Sequence, residues 1–346
     1  LWAVHGGGFY HPVKFALAPP KLPEHLHWFY WESYTTWMSG FGLLTVSYLW
    51  NASTYLVDRS LMNWSPAAAV VAALALLAVF WLAYDTVCRV FGDRDNGDAI
   101  VGAVVAVLVV AACWIACHLF PGRAAFLLVG AMIATAMTAN VAHWIIPGQR
   151  KMVAAIRAGE PVDPIHGRRG KQRSVHNTYF TLPVLAAMLS NHYSFLWSHP
   201  RNWVVLVLLM FAGAAIRQFF VLRHGWKLGR NRHPWPYAAV GVLVLAVMAA
   251  WMTPASTGGG AAAAPQHVGY AQLQPILEKR CYLCHGAQVQ MKNVRLDSPE
   301  GVRLHAAAVY QQAVVAKLMP MNNATGITEA ERAAIGQWFR EGAKVD

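Results

Sequence analysis

A chain of 346 residues that is 56% hydrophobic and 13% charged, with 15 Trp and a positive mean hydropathy, is not composed like an ordinary soluble enzyme. That balance points to several bilayer-crossing helices. The formal charge of +12 would suit nucleic acid. However, the basic residues gather in particular loops rather than along one face, which speaks against a nucleic-acid surface and for the orientation bias of membrane proteins.

The sequence opens on Leu1 rather than Met, with no leader-like segment, and reads as a fragment whose upstream residues are missing. Two early stretches, HGGGFYHP (5–12) and PEHLHWFYWE (23–32), are dense in chemistry. Gly6, Gly7 and Gly8 let backbone amides approach a ligand. His25, His27 and Glu32 are candidate catalytic, proton-transferring groups, and Trp28 to Trp31 are able to stack on a planar ring. An aromatic belt at a membrane interface accounts for the aromatics equally well, but not for the histidines.

Apolar runs near 34–57, 67–90, 98–120, 124–146, 176–197, 203–223 and 236–252 predict about seven spans. The fifth is interrupted by Pro183 and carries Asn, Thr and His, which lipid tolerates only where they face protein or water. Basic residues crowd alternate loops. The loop 147–175 holds Arg150, Lys151, Arg157, Arg168, Arg169, Lys171 and Arg173, while 223–235 and 89–97 add Arg223, Lys227, Arg230, Arg232, Arg89 and Arg94. The intervening loops hold Arg59, Arg123 and Arg201 alone. Positive-inside bias therefore puts the basic loops in the cytoplasm and the C-terminus outside. Within IIPGQRK (145–151) and HGRRGKQRSVHNTYF (166–180), Arg and Gln are suited to grip an anionic, amide-rich heterocycle, although an orientation-setting loop needs the same residues.

Cys88, Cys113 and Cys117 lie in apolar runs and read as small hydrophobes. Glu32, Asn140, His143, Asn177 and Arg217 would be needless cost in a plain membrane anchor. Histidines group toward the cytoplasmic side (His5, His11, His25, His27, His143, His166, His176, His224, His233) and the outer side (His118, His192, His199). Ligation of a second redox centre such as haem b by opposed pairs stays open at this point.

After the membrane module, 1–252, comes a Gly, Ala and Pro-rich linker, 253–267, and a small domain, 268–346. In it, Cys281-Tyr282-Leu283-Cys284-His285 is C-x-x-C-H, the attachment signature of a c-type haem. The alternative, half a zinc site, lacks a second ligand pair downstream. Helices are predicted over 270–280, over 299–318, and from Thr328 with Glu331 as a capping box. A terminal helix pair around this motif resembles a class I cytochrome c domain. In that family His285 is the proximal iron ligand and the Met–Pro step supplies the sixth, making Met319 the first choice and Met321 the second.

The stretches LWAVHGGGFYHP, LPEHLHWFYWESY, NGDAIVGA, HLFPGRAAFLLVGAMIATAMTANV, IIPGQRK, GKQRSVHNTYFTLPVLAAMLSNHYSF and IRQFFVLRH carry a further likeness. The chain resembles the bacterial membrane-bound urate oxidases (urate hydroxylases) that end in a cytochrome c domain, over nearly the whole membrane module. It departs from them at the N-terminus, where the family has further hydrophobic sequence. The resemblance implies an all-α protein of the bacterial inner membrane with its cytochrome domain in the periplasm. It also implies oxidation of urate to 5-hydroxyisourate with oxygen from water. Electrons would pass to the chain's own haem and onward to a soluble or membrane cytochrome or a terminal oxidase. The competing expectation is a quinol-oxidising electron-transfer subunit with b-type haem.

Overall fold

The computed structural model describes residues 3–345 apart from 6, 12, 16–17, 59–60, 254–266 and 324. The predicted linker, 253–267, therefore falls almost wholly outside the described residues, as does Arg59. The chain begins with a short antiparallel hairpin, β1 (Ala3–His5) against β2 (Gly8–Tyr10), turning at Gly7 with φ +78°. Among the described residues, the remaining regular elements are helical.

Among the described residues, five helices are long and apolar enough to cross a bilayer: Pro66–Phe91, Gly97–Leu119, Gly122–Ala158, Asn202–Lys227 and Trp235–Met252. Two of the seven predicted spans take another form. The run 34–57 becomes α1 (Trp31–Leu44), a π-helical turn (Thr45–Leu49) and a single turn, α2 (Ala52–Tyr55). Helical backbone runs on from α1 through the π turn to Leu49, but Glu32, Ser33, Thr35, Thr36 and Ser39 make this stretch too polar to rank with the candidate spans. In the run 176–197, residues 176–189 are the second half of a longer helix whose first half is too polar for lipid, and 190–197 form a 3₁₀ turn and a separate short helix.

α3 (Pro66–Phe91) starts behind Ser65, whose hydroxyl accepts the Ala68 N–H, and it is followed by α4 (Gly97–Leu119). α5 (Gly122–Asn140) and α6 (Ile146–Ala158) form one rod of 37 residues, joined by a π-helical turn at Val141–Ile145. Pro147 has no N–H to offer the preceding turn, and the wider π turn absorbs that defect. α7 (Pro164–Leu189) is capped by the Asp163 carboxylate on the Ile165 N–H. A short α8 (Ser194–Trp197) precedes α9 (Asn202–Lys227) and α10 (Trp235–Met252).

The second half of α7 lies between α5 and α9. Gly213 of α9 makes that approach possible, because a Cβ there would sit 3.0 Å from the Pro183 nitrogen. Ser33 and Trp37 of α1 bond Thr138 and Thr135 of α5, tying the first helix to the bundle.

The C-terminal region folds as α11 (Tyr270–Arg280), α12 (Tyr282–His285), α13 (Pro299–Val309) and α14 (Glu329–Arg340). The first prediction, 270–280, matches α11, and the capping box holds in both directions: Thr328 accepts the Glu331 N–H and Glu331 accepts the Thr328 N–H. The predicted 299–318 helix shortens, turning π-helical over Tyr310–Val315 before the Met319 segment. Arg280 pins α11 to α14 through Glu331 at 2.9 Å, over a core of Leu273, Leu277, Val302, Ile335 and Trp338. The turn Met321–Asn323 lies against α2.

Candidate functional site

The loop 92–96 and the start of α7 meet at one end of the bundle. Arg169 grips Asp93 there, with Nη2 to Oδ2 at 2.5 Å and Nε to Oδ2 at 2.9 Å. This guanidinium contact holds the Asp93 carboxyl below the usual carboxylate range. Beside it, Gln172 donates to the Gly92 carbonyl at 3.1 Å and to Asp98 at 2.6 Å. Only glycine admits that contact, since a Cβ on residue 92 would lie 2.5 Å from Gln172 Oε1.

One turn deeper, Asp85 and Arg173 are both buried, and Arg173 is among the largest fully buried side chains. Three donors converge on the Asp85 carboxylate: Arg173 Nη2 at 2.8 Å, Arg89 Nε at 2.6 Å and Trp144 Nε1 at 2.7 Å. The α3 sequence explains two of the elements: Asp85 and Arg89 are i,i+4 neighbours on one face. The third comes from the π turn, which aims Trp144 inward. The guanidinium carbons of Arg89 and Arg173 stand 5.1 and 5.0 Å from the Trp144 ring centre, and that of Arg169 stands at 5.8 Å.

Arg173 Nη1 is buried with no hydrogen-bond partner among the described residues. Arg173 also helps to line a cavity of about 260 Å³, with Cys88, Arg89, Trp144, Arg169 and Gln172. Three guanidiniums face it, and two carboxylates, Asp85 and Asp93, engage them, leaving one positive charge in excess. The Arg173 charge is matched by Asp85, and its one unsatisfied N–H group costs about 1–3 kcal/mol, which a hydrogen-bond acceptor at that nitrogen would relieve.

A chain of amides sets one ring's tautomer. Asn177 Nδ2 donates to the Met137 carbonyl at 3.0 Å, so its Oδ1 is the acceptor for Asn140 Nδ2 at 2.9 Å. The same Asn140 nitrogen donates to the Tyr84 hydroxyl at 2.9 Å, which leaves the Tyr84 proton for His176 Nδ1 at 2.8 Å. A neutral His176 accepting at Nδ1 carries its proton on Nε2. His176 lines a second, elongated cavity of about 930 Å³ between α4, α7 and α9. Arg169 and Gln172 line both cavities and form the wall between them.

His25, His27 and Glu32 are exposed on the segment before and at the start of α1, with His27 Nε2 3.7 Å from Glu32 Oε1. Tyr30, beside them, sits under the Arg150 guanidinium at 5.9 Å, which places this segment at the basic end of the bundle. None of the three lines either cavity.

In the C-terminal region the C-x-x-C-H residues share one helical turn. His285 Nδ1 lies 3.2 Å from the Val294 carbonyl, which only accepts, so Nδ1 carries the proton and Nε2 offers its lone pair. Cys281 and Cys284 are free thiols, and burial pushes Cys281 up to about 11. Arg332 holds the Met319 carbonyl at 2.8 Å and also bonds the Ala313 carbonyl, fixing the segment that carries Met319. Apolar side chains around the motif stay open, Leu283 at 73% and Met291 at 52% exposure. Two thiols, an imidazole with its lone pair on Nε2 and a thioether on a pinned segment are residue types that would suit a covalent haem.

A family model described as urate oxidase N-terminal matches residues 1–253. The chain belongs to that family. No curated protein and no solved structure matches it. The matched region contains every residue of both cavities and ends before the C-x-x-C-H region. Among the described residues, no group of three or more His, Cys, Asp or Glu is arranged to hold a metal ion.

Sequence reasoning singled out Arg169 and Arg173 as basic residues and Asn140 and Asn177 as costly ones, without joining them. Tyr84, Asp85, Arg89 and Trp144 were not recognised as partners. A signal did exist: Asp85 interrupts an apolar run, with Arg89 four residues on, and an acid at that depth is a functional flag.

Proposed function

We propose that this protein is a membrane-bound oxidoreductase that converts urate to 5-hydroxyisourate and passes the electrons to a c-type haem on its C-terminal domain. The reaction balances as urate plus water giving 5-hydroxyisourate, two protons and two electrons. Family membership supplies the substrate class. The single observation that carries the site is Arg173, a buried guanidinium held by Asp85 with one nitrogen left unpartnered, beside a cavity walled by arginines, a glutamine and an indole.

Urate is planar, anionic and rich in amide-like edges. In this reading Arg173 and Arg169 bind its anionic edge, and Gln172 lies against its carbonyl and N–H groups. Asp85 does not touch the substrate. It positions Arg89, Arg173 and Trp144 at once, so that the donors are set before urate arrives. His176, held in its Nε2–H form by Tyr84, donates a hydrogen bond from the neighbouring cavity. The two released protons have an exposed carrier at the same end of the bundle in His25, His27 and Glu32.

Cys281, Cys284, His285 and Met319 would hold the haem, which when bound supplies a one-electron acceptor. The basic end then faces the cytoplasm and the C-terminal domain the periplasm. Urate gives up two electrons, so a second redox centre or a stepwise transfer belongs to the same reading.

The test is an anaerobic visible spectrum of the oxidised protein before and after urate is added. Reduced c-haem bands that grow with urate are the expected result. No change with urate, together with reduction by a quinol, would replace this reading with the electron-transfer subunit.

A further inference from the structure

We propose that the larger cavity binds an anionic phospholipid, its phosphate at the basic mouth and one acyl chain along the groove. Three features carry this, and none depends on urate being the substrate.

The first is shape. The cavity lies between α4 and α9 with α7 as its floor, and its α4 lining runs from Asp98 to Val110. Those 12 residue steps cover about 18 Å at 1.5 Å each, a little more than half of a hydrocarbon core of about 30 Å. The groove is as deep as one leaflet.

The second is its surface. Gly102 and Ala106 open the groove by having little or no side chain, and beyond them Val110 and Phe211 are 40% and 53% exposed. α4 and α9 are both long and apolar enough to cross a bilayer, so the open side of the groove faces acyl chains rather than water.

The third is charge. The mouth holds Arg94, Arg168, Arg169 and Lys171 against Asp93, Asp95 and Asp98. Arg169 is closed on Asp93, and Asp98 receives the Gln172 amide. Among the described residues no carboxylate lies within ion-pair distance of Arg94, Arg168 or Lys171, and Arg94 rests on the Phe91 ring at 4.7 Å. Four cations against three carboxylates leave one positive charge, the complement of one phosphodiester. Basic pockets between membrane helices on the positive-inside face take anionic headgroups for this reason. A neutral amphiphile such as a quinone would fill the groove but leave that charge unmatched. Because Arg169 and Gln172 are the wall shared with the small cavity, a phosphate at the mouth steadies the side chains that face it.

The experiment is thermal unfolding of the full chain in detergent, with dioleoyl phosphatidylglycerol or dioleoyl phosphatidylcholine added. Native mass spectrometry counts the lipid retained. The expected result is a Tm raised by several degrees with phosphatidylglycerol and unmoved by phosphatidylcholine, with one phosphatidylglycerol held per chain. The double variant Arg168→Gln, Lys171→Gln loses the shift while keeping the lipid-free Tm, and Ala106→Trp, which fills the groove, loses it as well. Equal shifts with both lipids, a phosphatidylglycerol shift that survives in the double variant, or protection by decylubiquinone alone would each overturn the proposal.

Discussion

The two ends of this protein hold chemistry in opposite ways. At the C-terminal end, Cys281, Cys284 and His285 are neighbours in sequence, and a single helical turn makes them neighbours in space. At the basic end of the bundle, the cavity draws Cys88 and Arg89 from α3, Trp144 from a π turn and Arg169, Gln172 and Arg173 from α7. A local motif survives on little surrounding structure, whereas a dispersed one exists only when three helices are in register. The first is written in spacing and the second in packing.

The sharpest way to break the comparison is His285→Ala. Loss of the imidazole should abolish electron output from urate and shift the haem spectrum, while urate binding stays at the wild-type level. A parallel loss of urate binding would show that the two ends are not separable. Arg173→Lys tests the other end. It keeps the charge opposite Asp85 but removes the fork, and a lost charge-assisted hydrogen bond of about 2 kcal/mol corresponds to roughly 30-fold weaker urate binding. The haem spectrum should not move.

Smaller effects sharpen the picture. Thr328→Ala removes the α14 cap, where Thr328 accepts the Glu331 N–H at 3.2 Å, and should cost about 1 kcal/mol, confined to the C-terminal domain. Differential scanning calorimetry should show its transition fall alone. The Asp93–Arg169 pair should matter least, because both side chains are partly exposed at 32% and 43%. Arg169 lowers the Asp93 carboxyl in the folded state, so its contribution is present above the unfolded value of about 3.9 and fades as pH falls through the lowered folded value. The Tm difference between wild type and Asp93→Asn should therefore be constant from pH 7 to 5 and shrink only below about pH 4. A difference that changes between pH 7 and 5 would implicate another group.

Much of the fold is legible in the sequence because hydropathy and capping are local. The α11 boundaries, the Thr328–Glu331 box and five of seven spans follow from residues within one window. The two departures have physical causes beyond any window. Residues 34–57 begin polar and break at Asn51, and 176–189 is polar enough to need the α5 and α9 surfaces that Gly213 lets approach. The site was harder for the same reason. Arg173 is one of seven basic residues in the 147–175 segment, and nothing local marks it as the one that turns inward to Asp85 across 88 positions. His25 and His27 stand out in sequence because they are dense, and density alone does not bring them to a cavity.

The measurement that bears most directly on the central claim is equilibrium binding of radiolabelled urate to the purified wild-type protein and to Arg173→Lys. One urate per chain, bound roughly 30-fold more weakly by the variant at an unchanged haem spectrum, is the expected result. Equal affinity in the two proteins would contradict it and move the substrate away from this cavity.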